Sequence, residues 1–139
     1  FFLDEVTALA AGHRPCFYCR RLRAKEYAEC YADAFGIAGP RATEIDARLH
    51  KERLASGGAQ PAMHRTEIEE LPDGAMIAVG RRAFALHRRK LREWSFGGWR
   101  REAATPAELG PETRLLTPPA TVAVLRSGFQ PIWHPGIGN

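Results

Sequence analysis

Cys16 and Cys19 stand two residues apart in the run Gly12-His13-Arg14-Pro15-Cys16-Phe17-Tyr18-Cys19-Arg20-Arg21. A C-x-x-C spacing lets the backbone bend so that both sulfurs take adjacent corners of a zinc tetrahedron. The pair supplies half of a structural zinc site, which needs four ligands, and no second C-x-x-C follows. Two other uses of the spacing stay open: a plain structural or disulfide-bonded pair, and a redox pair. The redox use asks for a first thiol at a helix N-terminus directly after a buried strand, where the helix dipole lowers its pKa. Here a predicted helix and Pro15 come before it.

The remaining donors are scattered. If residues 19–30 are helical, Cys30 lies roughly 16 Å from Cys19, against about 4 Å between zinc-bound sulfurs, so it reads as a small core residue beside Tyr27 and Tyr31. His13 is three residues before Cys16, while His50, His64, His87 and His134 could reach a common site only through the fold. Arg14, Arg20, Arg21, Arg23 and Lys25 surround the thiols, and Arg14, Arg20, Arg21 and Arg23 are the candidate phosphate contacts. A second set, Arg81, Arg82, Arg88, Arg89, Lys90 and Arg92, falls at two predicted turns and reads as solvated turn residues. Trp94, Phe96, Trp99 and Trp133 read as core closure more economically than as stacking surfaces for bases. The sequence has no G-x-S-x-G elbow, P-loop, dinucleotide fingerprint or H-E-x-x-H.

The stretch from Phe1-Phe2-Leu3 through an Ala- and Glu-containing helix to Gly12-His13-Arg14-Pro15-Cys16-Phe17-Tyr18-Cys19 resembles the second half of the zinc-binding domain of the Ada family, bacterial methyl-phosphotriester repair proteins. The resemblance covers about the first 20 residues. It implies zinc as cofactor, Cys16 and Cys19 as the two later ligands, and Arg14 beside DNA. His13 falls where the family has an apolar residue, so the resemblance gives it no ligand role. The family's methyl-accepting cysteine belongs to an earlier pair with no counterpart here, so methyl transfer is not expected. Beyond Cys19 the chain resembles small bacterial proteins sharing this motif, which implies no particular activity.

These residues need a scaffold, and 139 residues with 45% hydrophobic content are enough for one core and few for two, so a single domain over 1–139 is expected. Because the chain opens on Phe1, a further expectation is that a native segment, with the missing ligands, precedes it. The net charge of +4 permits nucleic acid without requiring it. Three cysteines make a poor disulfide framework, and no run approaches the roughly 20 apolar residues that span a bilayer, so a cytoplasmic protein without a membrane partner is expected.

Asp4 caps a predicted short helix through Ala11, ended by Gly12 and Pro15. Ala24, Tyr27, Ala28, Tyr31, Ala34 and Phe35 recur at helical spacing, which predicts a helix over 18–35 ended by Gly36. A third helix is predicted over 43–54, before a connector at Gly57-Gly58. The apolar runs 75–79, 83–87 and 91–96 predict a three-stranded meander closed by Gly97-Gly98, then a loop from Thr105 to Pro111 and an edge strand over 113–116. Thr117 should cap a helix running to Arg126, with Gly128 past its end and an irregular tail from Gln130 to Asn139. The fold class is α+β: N-terminal helices around a C-x-x-C knuckle, a small antiparallel sheet and a C-terminal helix.

The leading functional expectation is a bacterial zinc-binding protein that engages DNA without methyl transfer. Two alternatives stand beside it: a metal-dependent nuclease or hydrolase built on His50, His64 and His87, and a metal-free interaction domain.

Overall fold

The computed structural model describes residues 3–56, 62–105, 109 and 112–137. The predicted connector at Gly57-Gly58, most of the loop from Thr105 to Pro111, Phe1-Phe2 and the last two tail residues lie outside the described residues. The architecture is α+β, as the patterning requires. Helices α1 (Glu5–Ala10), α2 (Arg21–Phe35), α3 (Ala42–Ser56) and α4 (Arg65–Glu69) come first. Strands β1 (Met76–Val79), β2 (Arg82–His87), β3 (Lys90–Ser95), β4 (Gly98–Ala104) and β5 (Thr113–Leu115) follow, then α5 (Pro119–Arg126) and a 3-10 turn over Pro135–Ile137.

The strands form one antiparallel sheet in the order β4-β3-β2-β1-β5. Side chains alternate across a strand, so each face carries its own core. Ile77, Phe84, Leu86 and Leu91 pack with Tyr27 and Tyr31 of α2, Ile45 and Leu49 of α3, and Val124 and Leu125 of α5. On the other face Met76, Ala85 and Trp99 pack with Val6 of α1 and Ile137, with Trp94 and Trp133 against them. Helices cover one side of the sheet; α1 and the C-terminal tail cover the other. In the first core the Tyr27 hydroxyl meets Thr121 Oγ1 at 2.9 Å, and burial pushes that phenol's pKa up to about 12. Cys30 packs at the edge of this core, as expected for a small apolar side chain.

The structure departs from the sequence expectations at Gly97-Gly98, at α4 and at Thr117. Gly97-Gly98 does not end the meander; Gly98 turns at φ 131° and opens β4, which pairs with β3 through Trp94↔Trp99. α4 lies in a stretch with no predicted element and has only five residues, too few for a helical period to show. Thr117 does not cap α5: its Oγ1 accepts the Met76 N–H at 2.8 Å, and the Ala120 N–H near the helix start goes instead to Glu52 of α3 at 3.0 Å. The tail from Gln130 is irregular as expected apart from the 3-10 turn, and its Trp133 and Ile137 pack against α1 and the sheet.

Candidate metal centre at the paired thiols

Asp4 begins α1 with the predicted cap, its carboxylate accepting the Thr7 N–H at 3.0 Å while Thr7 Oγ1 accepts the Asp4 N–H at 3.1 Å. The same carboxylate takes the Trp99 indole N–H at 2.7 Å and the His134 N–H at 2.8 Å, which seats α1 on the sheet and the tail. The helix stops at Gly12, whose φ of 91° is left-handed. A Cβ there would stand 2.8 Å from Arg53 Cδ of α3, so a side chain would push the Arg53 side chain aside and strain the left-handed backbone as well.

Arg14 braces the next turn. Its Nε and Nη2 donate to the two oxygens of Asp46 in α3 at 2.8 and 2.9 Å, Nη1 donates to the Pro15 carbonyl at 2.8 Å, and the guanidinium lies over the Phe17 ring at 4.9 Å. Residues on both sides of Cys16 are thereby held from α3. The backbone then folds back: Arg20 N–H donates to the Cys16 carbonyl at 2.8 Å and Cys19 N–H points at Cys16 Sγ at 3.4 Å. Helix α2 starts at once from Arg21, three residues later than the periodicity suggests, because residues 17–19 are taken up by this turn.

The two thiols lie close together and are chemically unequal. Amide N–H groups of Cys19 and Tyr18, followed by the Cys19 thiol, hold the Cys16 pKa below its usual value. Donating its proton to Cys16 pushes the Cys19 thiol up. All three cysteines are free thiols. A backbone that aims N–H groups at a sulfur favours the thiolate, the form a metal takes.

On α2's first turns, Arg23 donates to both oxygens of Glu5, to Glu26 at 2.8 Å and to the Gln130 carbonyl at 2.6 Å. Glu5 is 5% exposed and also accepts the Ile132 N–H at 3.1 Å, so α1, α2 and the tail meet on one carboxylate. The Arg23 pKa is raised, chiefly by its hydrogen bond to Glu5. Arg20 is 58% exposed and reaches Glu5 at 3.7 Å, and Arg21 is exposed with no ion pair among the described residues. Of the predicted phosphate contacts, then, Arg14 and Arg23 are internal braces, while Arg20 and Arg21 face solvent beside the thiols.

Beside the pair lies a cleft of about 510 Å³ whose walls include His13, Cys16, Cys19, Trp133 and His134. Among the described residues no group of three or more His, Cys, Asp or Glu side chains comes together as a metal cage. The thiols thus stand as a pair, with no third and fourth donor gathered beside them among the described residues. The same holds for the alternative set: His50 is exposed on α3, His64 sits at the start of α4, and His87 ends β2 with its ring 4.8 Å from that of Trp133. Sequence reasoning missed Asp46 and Glu5 as the anchors of this region; the first lies 32 positions from its arginine, beyond any local pattern.

Fold and site together define an α+β domain carrying a braced paired-thiol turn. No family model matches the chain, and no curated protein or solved structure matches it at a significant level.

Proposed function

We propose that this chain is a zinc-binding protein that engages DNA, with Cys16 and Cys19 as two of the metal ligands, Arg20 and Arg21 as phosphate contacts, and no methyl-transfer activity. The observation that carries the reading is the turn itself: the Cys19 N–H is directed at Cys16 Sγ at 3.4 Å in a backbone braced by Arg14 and Asp46. Zinc bound there would crosslink the end of α1 to the start of α2. The test is zinc per chain in the reduced protein. The wild type is expected to hold zinc stoichiometrically and Cys16→Ser/Cys19→Ser to lose it; a metal-free wild type overturns the reading. Duplex DNA affinity should fall with salt, and Arg21→Ala should reduce the logarithmic slope by about 0.9. A flat salt response removes DNA from the proposal.

One observation favours a second reading, a metal-free reactive dithiol: the Cys16 thiol is lowered while its neighbour's is raised. Zinc-free protein in which Cys16 is alkylated well before Cys19 would select it.

A further inference from the structure

The β2–β3 hairpin ends in a two-residue turn, Arg88-Arg89, and both residues are left-handed, with φ of 53° and 67°. Such turns favour Asn-Gly, because a Cβ crowds the following carbonyl oxygen at these angles unless a short polar side chain offsets the strain locally. Two arginines in these places are an outlier, of the kind that points to a function. The register adds to it. His87 pairs with Lys90 and Ala85 with Arg92, so His87, Lys90 and Arg92 project from one face of the hairpin, opposite Phe84, Leu86 and Leu91. Together with Arg88 they line a cleft of about 280 Å³, and among the described residues no acid stands in its wall.

Arg92 makes this more than a basic surface. It is 8% exposed, and its Nε donates to the Arg100 carbonyl at 2.7 Å. Among the described residues it has no carboxylate partner, although buried charges are normally paired. The adjacent acid in β3, Glu93, is held by Arg82 at 2.9 Å and Arg100 at 3.8 Å on the other face. The acid nearest the turn, Asp73, accepts the Arg88 N–H at 2.9 Å and shares an adjoining cleft with His87 and Arg88, where its charge favours the imidazolium. A nearly buried guanidinium, a lysine, an arginine and a histidine converge on this hollow, and the acid Asp73 reaches them only from the His87 and Arg88 side, which leaves Arg92 and Lys90 facing a place for an anion.

We infer that the cleft at the β2–β3 turn is a binding site for a phosphate-class oxyanion, with Arg92 as its floor and Arg88, Lys90 and His87 as its walls. The inference stands apart from the zinc reading. Phosphate suits the set because guanidinium and ammonium groups donate to several of its oxygens at once. Such a group occurs as a terminal or free phosphate or as the phosphodiester of a nucleic-acid backbone, and the test separates the two.

The protein is titrated with inorganic phosphate against chloride at equal ionic strength and pH, read by thermal midpoint and by the His87 imidazole resonances. Phosphate is expected to raise the midpoint and shift the His87 signals to saturation. Lys90→Ala should weaken half-saturation roughly tenfold. Arg88→Asn/Arg89→Gly should stabilise the protein in chloride while weakening phosphate binding similarly, a combination that general damage to the fold does not produce. An oligothymidylate that displaces phosphate at His87 identifies a backbone phosphodiester; phosphate binding without displacement identifies a free phosphate group. No phosphate-specific response in the wild type, or both variants titrating as wild type, overturns the inference.

Discussion

Around the paired thiols the enclosed arginines, Arg14 and Arg23, are matched by acids, and at the β2–β3 turn the enclosed arginine is not. Arg14 is gripped by Asp46 and Arg23 by Glu5, each joining elements far apart in the chain. Arg92 is less exposed than either, yet meets only a backbone carbonyl, with Arg88 and Lys90 beside it. Two clusters that look alike as strings of basic letters therefore play opposite parts. A paired guanidinium is a strut with little field left over; an unpaired one in a hollow is a receptor.

The contrast is most exposed to test at Glu5. Glu5→Gln leaves Arg23 facing a neutral group in a largely enclosed place, and urea unfolding should show a loss of about 3 kcal/mol. A loss below about 1 kcal/mol would make the pair an ordinary surface contact. Next comes Arg14→Ala: because Asp46 is half-exposed, the expected loss is about 1 kcal/mol, with no change in the salt dependence of DNA binding. A change in that slope would return Arg14 to the phosphate contacts.

The smallest effect is at His87, where burial first, then Arg88, lowers the imidazole pKa from its usual 6.5. The unfolded chain takes up the proton at higher pH than the folded one. Stability is therefore lost as pH falls from about 6.5 toward the depressed folded value, and His87→Gln should flatten the decline. Thermal midpoints between about pH 7.5 and 5 measure it; parallel curves for the two proteins would contradict the direction. Bound phosphate should also flatten the decline by favouring the imidazolium.

How far these regions could be read from the chain follows from the range of the forces involved. α2 is legible because its apolar residues recur at helical spacing and Gly36, at φ 63°, closes it. Asp4 is legible because capping is local. β4 is not, since a Gly-Gly pair reads as a stop, whereas Gly98 is the turn residue that lets Trp99 pair back onto Trp94. Thr117 misleads because the hydroxyl suited to a helix cap is taken by the Met76 N–H of an adjacent strand. The thiol pair stands out in the sequence at once, but its braces do not: Asp46 and Glu5 look like ordinary charges on helices until the fold delivers their arginines. For the same reason the hairpin cations read as solvated turns, because only register shows that Arg92 turns inward.

The tail carries one more consequence. Glu5 binds the backbone of Ile132 in both directions and Arg23 holds the Gln130 carbonyl, so the helices on either side of the thiols lean on residues more than a hundred positions away. A six-residue helix has no stability of its own. A synthetic peptide covering only the first 25 residues would therefore be a poor mimic: the sulfurs would be present without their alignment, and any soft ion it captured would have to organise the backbone as it bound. In the intact chain that organisation comes from the far end, which makes the spacing of two neighbouring cysteines a property of long-range topology.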